Sequence, residues 1–383
     1  MRAFGRYFLC LSVMLAGMAL SWTDARAQIY DSAYIARVED TVRAYMRKHP
    51  LRRPSERRFN AVPLYGVMYT EETGVMAMGG FMGRFRTSPD TLVPHSSVGA
   101  VAMISVNLSA LGAVMGKVYS PSGSFMFEYM LRFDNSPRRF WGIGYEAADI
   151  DGNSSSFTAR RIRAGLDFMY RSVFGLKAGT FVRYDFYDAL DFTSPELIDG
   201  YPLRTHYLEA GVRLDYDTRD NPMSPSRGMA VVLEQSAGIP LSGQKLFFRT
   251  AFTADFYFSV WKGGVLAADL YGDLSSGGSP WTMWAESGGQ IRMRGYYQGR
   301  YRDRNLLSAQ IELRQQIYGM HGIALWCGAG NVFPSFRDFN IRHTLPTFGA
   351  GYRLTVFGIV VRIDAGFGTG GQYAVTAGLN HSF

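Results

Sequence analysis

The chain of 383 residues carries 40 Lys and Arg against 32 Asp and Glu, with 15% aromatic residues, 43 Gly and two Cys. A net charge of +8 is too mild to imply a nucleic-acid partner, and so few cysteines exclude a disulfide-stapled domain or a cysteine-built zinc site. Beyond the N-terminal segment no apolar run reaches the roughly 18 residues that a transmembrane helix needs.

Residues 1–27 read as a secretory signal peptide. Arg2 and Arg6 precede an apolar stretch from Phe8 to Leu20, and Ala25-Arg26-Ala27 has the small-x-small cleavage pattern. Gln28 then starts a mature chain whose only cysteine is Cys327. Residues 28–58 read as a basic helical leader in the periplasm. Asp31 or Ser32 can cap a helix, Ile35, Val38, Val42 and Tyr45 recur at helical spacing, and Pro50 stops it. Arg47, Lys48, Arg52, Arg53, Arg57 and Arg58 surround that stop. They suit contact with an anionic membrane face or a partner, and equally a solvated tether.

Residues 59–383 are assigned to an outer-membrane β-barrel, and from about Gly74 the pattern has period two. In 306–317, Leu307, Ala309, Ile311 and Leu313 share one face while Ser308, Gln310, Glu312 and Arg314 share the other. In 206–216, Leu208, Ala210, Val212 and Leu214 oppose Glu209, Arg213 and Asp215; in 358–367, Ile359, Val361, Ile363 and Phe367 oppose Arg362 and Asp364. Strands that face lipid outside and water inside must alternate in this way, whereas a soluble sandwich has no reason to place Arg and Asp repeatedly on one face.

The pattern predicts strands at 74–85, 96–108, 110–120, 123–133, 139–148, 156–172, 174–187, 204–217, 228–239, 245–260, 262–274, 304–317, 321–334, 346–356, 358–367 and 371–383. The fold class is therefore all-β: a transmembrane antiparallel barrel of about 16 strands with a short N-terminal helical segment. Long connections at 187–204, 275–303 and 335–345 fall on one side. Short turns near 109, 173, 261, 319 and 357 fall on the other, the periplasmic side. The closing strand ends at Phe383 and must pair with the first, because an open edge in lipid leaves backbone groups unpaired. A terminal aromatic is also the usual recognition element for outer-membrane assembly.

Several segments together resemble the bacterial surface antigen family, which includes BamA and TamA. Leu214-Asp215-Tyr216-Asp217-Thr218-Arg219-Asp220, followed by Pro222, Pro225 and Gly228, resembles its periplasmic turn. Gly288-Gly289, Met293-Arg294-Gly295-Tyr296, Tyr301-Arg302-Asp303 and Glu312-Leu313-Arg314 resemble its lumen loop and the strand after it. Gly349-Ala350-Gly351-Tyr352-Arg353 and Arg362-Ile363-Asp364-Ala365-Gly366-Phe367-Gly368 resemble its closing strands, and Phe140-Trp141-Gly142-Ile143-Gly144 a further signature. The resemblance spans roughly residues 60–383.

It implies a loop folded into the lumen and anchored by Arg294, Gly295 and Tyr296. Asp364, Glu312 and Asp269 are the candidate partners of the arginine, Asp364 the favoured one. Gly328 stands where the family often has an Asp. Residues 28–58 are also far smaller than the periplasmic POTRA domains of BamA and TamA, so a short member without them is expected.

The function that the resemblance implies is insertion, assembly or translocation of proteins at the bacterial outer membrane. It would act through a seam between first and last strands that carries Gly79, Gly80, Gly378 and Phe383. Partners would be outer-membrane lipids, client barrels and separate periplasmic or outer-membrane assembly proteins; no nucleic acid, metal or cofactor is expected. The alternative is a passive pore or solute transporter, which an inserted loop would obstruct. An enzyme is not expected. The histidines at 49, 95, 206, 321, 343 and 381 show no metal-ligand spacing, and no nucleophile-elbow sequence occurs.

Overall fold

The computed structural model describes residues 59–383 apart from 71–72, 91–92, 173–174, 199, 242–244 and 357–358. The signal peptide and basic leader lie outside the described residues. The chain runs through β1 (Phe59–Thr70), β2 (Gly74–Phe85), β3 (Ser96–Ser105), β4 (Ala110–Tyr119) and β5 (Phe125–Phe140). A short helix α1 (Gly144–Asp149) precedes β6 (Ser155–Arg171), β7 (Leu176–Leu190), β8 (Arg204–Asp217), β9 (Gly228–Pro240), β10 (Phe247–Trp261) and β11 (Gly264–Ser275). The ribbon strands β12 (Ala285–Glu286) and β13 (Arg302–Asp303) come next. The chain then completes β14 (Asn305–Tyr318), β15 (His321–Phe333), β16 (Leu345–Val356), β17 (Ile359–Phe367) and β18 (Tyr373–Leu379).

Every strand except β12 and β13 belongs to one sixteen-stranded antiparallel sheet, the wall of a transmembrane β-barrel, in the order in which the strands occur. The alternation read from the sequence holds. Leu208, Val212 and Leu214 of β8 and Ile363 and Phe367 of β17 are exposed on the outer surface, while Glu209, Glu312, Asp364 and Arg362 are buried inside. Outward apolar groups meet lipid, and inward charges need partners across the lumen.

Sixteen is the strand count of the barrel sheet, but one strand outside the prediction is added and one predicted strand is removed. The first strand is β1, which pairs with β2 from Phe59↔Phe85 to Thr70↔Gly74. It was illegible because Val62 and Leu64 point inward while Tyr65 and Val67 point outward, so no polar face alternates with the apolar one. Pro63, which has no N–H to give a ladder, suits an edge strand.

The strand predicted at 139–148 does not form. Its first two residues finish β5, and Gly142 (φ +96°) and Gly144 (φ +85°) then turn the chain into α1. Backbone in that region cannot continue a strand, and glycine adopts it at little cost. One omission and one excess cancel in the count. They do not cancel in the topology, for the turn 106–109 between β3 and β4 lies on the side of the long connections, not with the short turns.

A third correction concerns the end of the chain. The last strand stops at Leu379, and Asn380 (φ +63°) bends the final residues out of the sheet.

Candidate lumen site

The connection between β11 and β14 folds back into the barrel. Its stem is the β12–β13 ribbon, extended by Ser287 N–H to Tyr301 O (2.9 Å) and Gly299 N–H to Ser287 O (2.9 Å). The tip at Met293 to Tyr296 is a tight turn in which Met293 (φ +51°) and Gly295 (φ +112°) are both left-handed.

Two glycines explain how the tip sits on the wall. A Cβ on Gly295 would strike the backbone of Gly366 and Phe367, and a Cβ on Gly366 would strike the backbone of Arg294 and Gly295. The loop main chain therefore lies directly on β17. Gly368 makes room for the Tyr296 ring in the same way. Alternation accounts for the motif spacing, since Asp364, Gly366 and Gly368 all fall on the inward face of 362–368. One residue supplies the carboxylate and the other two the floor.

Arg294 is almost fully buried at the centre of a charged cluster. Its guanidinium lies 2.7 Å from Glu312 and 3.1 Å from Asp364, with its carbon 3.7 Å from the centre of the Trp326 ring. Arg314 also reaches Glu312 (2.8 Å), Arg362 reaches Asp364 (2.7 Å), and Arg353 contacts Asp364 (2.5 Å) and Glu312 (3.7 Å). Four guanidinium groups thus share two carboxylates. Charges removed from water are tolerated only when paired. Sharing gives every guanidinium here a carboxylate, although the Nε atoms of Arg294, Arg353 and Arg362 make no hydrogen bond. Thr347 Oγ1 donates to the Arg294 carbonyl. Tyr296 is locked by its hydroxyl, which donates to Pro346 O (2.6 Å) and accepts from Thr369 N–H (2.9 Å).

Of the three candidate partners, the structure brings Glu312 and Asp364 to Arg294. Asp269 instead holds Arg292, through two bonds at 2.8 and 2.7 Å. Sequence reasoning placed Arg314 and Arg362 on the polar faces of their strands without assigning them to the site, and it missed Arg292, Arg353 and Trp326; alternation marks the last two as inward. Gly328 lies beside Gln310, whose amide donates to Asp269 (3.1 Å) and to Ile291 O (3.1 Å), so a glutamine bridge takes the place of a carboxylate there.

The proposed seam residues are separated by the structure. Gly79 and Gly80 belong to β2, one strand inside the edge, while Gly378 is in β18, where a Cβ would press on the Arg362 guanidinium. Phe383 is not in the last strand at all. Beyond Asn380 the chain enters the lumen: Ser382 Oγ donates to Glu312 (3.1 Å), and Arg314 donates to the Phe383 main-chain oxygen (2.8 Å). The Phe383 ring lies 5.2 Å from the Arg314 guanidinium. The tail leaves the lipid face because its polar groups find partners inside.

On the side of the long connections an aromatic cap packs the lumen loop against β5 to β10. Phe140, Phe157, Tyr187 and Trp281 pack together, and Trp281 Nε1 donates to Pro202 O (2.9 Å). Arg300 ties the lumen loop to α1 through Ala148 O (3.1 Å) and Asp151 (2.5 Å). Trp141, the residue after β5, packs on Tyr297 of the loop.

The opposite end carries the turn 218–227. Asp217 accepts from the Arg219 side chain at 2.9 and 2.7 Å, and Asp220 accepts from the N–H groups of Asn221, Ser226 and Arg227. Burial would raise the Asp220 carboxyl, but the Ser226 hydroxyl and these N–H groups outweigh it and hold the group down at about 2.

A sixteen-stranded barrel with an arginine-anchored loop inside defines a class of outer-membrane protein, and comparison with known proteins agrees. The Omp85 superfamily domain matches residues 109–372, so the chain belongs to the Omp85 superfamily. BamA from Haemophilus ducreyi lacking POTRA domains 1–3 is similar in fold, with TM-score 0.60 and 10% identity over 84% of this chain and 70% of that one. CdiB from Acinetobacter baumannii (TM-score 0.54, 11% identity) is matched over 85% of this chain and 60% of its own. CdiB from Escherichia coli (0.53, 13%) is matched over 83% and 61%. This chain thus spans about six-tenths of either CdiB. No curated protein matches it. The protein is an outer-membrane β-barrel of bacteria.

Proposed function

We propose that this barrel aids the insertion, assembly or translocation of other proteins at the outer membrane, using the edges of β1 and β18 as the place where a client strand adds. The observation that carries this reading is the state of those two strands. They end the sheet order, and their outward residues are the barest on the wall. Tyr65 and Val67 are 84% and 75% exposed, Tyr373 and Val375 74% and 69%, whereas Leu131 and Phe258 on interior strands reach 54% and 55%. The last strand has only seven residues against 17 in β6, and its tail is drawn inward at Asn380. An edge with unpaired backbone groups binds an extended chain through main-chain hydrogen bonds.

The aromatic cap and the anchored loop argue against an open solute pore. Depletion of the protein is expected to lower the amount of other barrels in the outer membrane; unchanged levels would overturn the reading. Planar-bilayer recordings should show little steady conductance, rising in an Arg294→Ala variant.

A further inference from the structure

The inner wall from β1 to β4 carries almost no charge. Strand register places Val62, Met82, Gly99, Met115 and Met130 in one inward row across β1 to β5. The next row toward the cap holds Leu64, Gly80, Val101 and Ala113, and the third Gly66, Met78, Met103 and Leu111. Val62, Met82 and Met115 remain 62%, 46% and 44% exposed although they face inward. Gly99 forms a notch between Met82 and Met115: at its Cβ position only backbone oxygens lie within 4 Å. The notch lines a cavity of about 630 Å³ that Met130 and Met283 also line, together with charged residues of β6 to β10 such as Arg161, Asp185, Arg183 and Glu234.

Polar groups bound this trough at its periplasmic end. Arg84, Ser97 and Lys117 form the adjacent inward row. Lys117 pairs with Glu128 (2.5 Å), whereas Arg84 is exposed and has no carboxylate partner among the described residues. From Arg84 to Met78 the trough runs on the order of 20 Å at ~3.3 Å per residue, the reach of a long acyl chain with its head.

We propose that this trough is a binding site for an amphiphile with one long acyl chain on the methionine wall and an anionic head at Arg84. Apolar side chains left bare inside the lumen, as Val62, Met82 and Met115 are, mark a binding site rather than a water channel, and the flexible, polarisable methionines adapt to a chain of no fixed shape. A client barrel strand fits less well, because it would turn its polar inward face against the methionines. A free fatty-acid anion and an anionic phospholipid share the required chemistry.

Photolabelling separates the outcomes. The full chain in detergent micelles is irradiated with palmitate carrying a diazirine in its chain, and separately with phosphatidylglycerol bearing the same acyl group. Labelled positions are mapped by peptide mass spectrometry. Saturable labelling of Met82 and Met115, removed by excess unlabelled palmitate or phosphatidylglycerol, is expected in at least one arm, and the responding arm identifies the source. Outward Phe81 and Val114 should label without saturation in both.

A double variant, Met82→Gln with Met115→Gln, should lose about tenfold of the saturable labelling and Arg84→Gln about fivefold, with folding checked by heat-modifiable gel mobility. Labelling confined to outward positions, or inward labelling that excess lipid does not compete, overturns the proposal whether or not the variants fold. So does a photoreactive residue at Met115 that captures polypeptide and no lipid.

Discussion

From β6 to β17 the lumen-facing positions hold charged residues in pairs: Arg161 with Asp185 (2.6 Å), Arg183 with Glu234 (2.8 Å), Arg249 with Asp273 (2.8 Å), and the cluster around Arg294. From β1 to β4 the same positions hold Met, Val, Leu, Ala and Gly, with one polar row of Arg84, Ser97 and Lys117 at the periplasmic end. Both walls carry apolar groups toward lipid and both are antiparallel, so backbone pairing does not distinguish them. The difference lies in what holds each wall in shape. Ion pairs with directional bonds lock the first and pin the loop to it, and weak, adaptable contacts leave the second deformable next to the sheet edge.

Changes that unbalance the charged wall should therefore cost most. Asp364→Asn leaves Arg294, Arg353 and Arg362 with one fewer carboxylate and is expected to destabilise the folded barrel by about 3–5 kcal/mol, read as a lower urea midpoint in the heat-modifiable mobility assay. A cost below about 1 kcal/mol would mean that Glu312 alone balances the cluster and that ion pairs do not set the rigidity of this wall.

Gly295→Ala tests the seating of the loop. Its φ of +112° and the backbone of β17 at the Cβ position make a strained, displaced loop, worth about 1–3 kcal/mol. Limited proteolysis between 276 and 304 should become faster, while cleavage elsewhere stays as before.

A smaller effect is expected at the turn 218–227. The Asp220 carboxyl is held at about 2, below its ordinary value, so its contribution is complete above the usual carboxylate range and fades as pH falls toward 2. Asp220→Asn should flatten that part of the acid-stability profile. An identical profile in the variant would show that the ring of N–H donors to Asp220 is not what steadies the turn.

The smallest effect belongs to the apolar wall. Met82→Gln with Met115→Gln should shift stability by no more than about 0.5 kcal/mol, since both side chains stand free in the lumen; a larger loss would mean that the wall is itself a packed core.

The amino-acid sequence by itself determined the outer-membrane barrel, because Leu208 against Glu209 and Ile363 against Asp364 record a lipid face and a lumen face one residue at a time. Its resemblance to the surface antigen family also marked Arg294, and a charge inside a barrel needs an opposite charge, which pointed to Glu312 and Asp364. Its blind spots come from the same rule. Where the inner face is apolar, as in β1, alternation vanishes and the strand disappears from view. Where two glycines turn the chain at 142 and 144, an apolar run that looked like a strand becomes part of the cap.

The partition of carboxylates, Asp269 to Arg292 and Glu312 with Asp364 to Arg294, was decided by tertiary structure alone, since it depends on how deep the loop sits on Gly366. So was the inward course of the tail to Phe383. Nothing in the terminal residues themselves distinguishes a strand facing lipid from one bent at Asn380 toward Arg314; that choice rests on a partner 69 positions away in the chain.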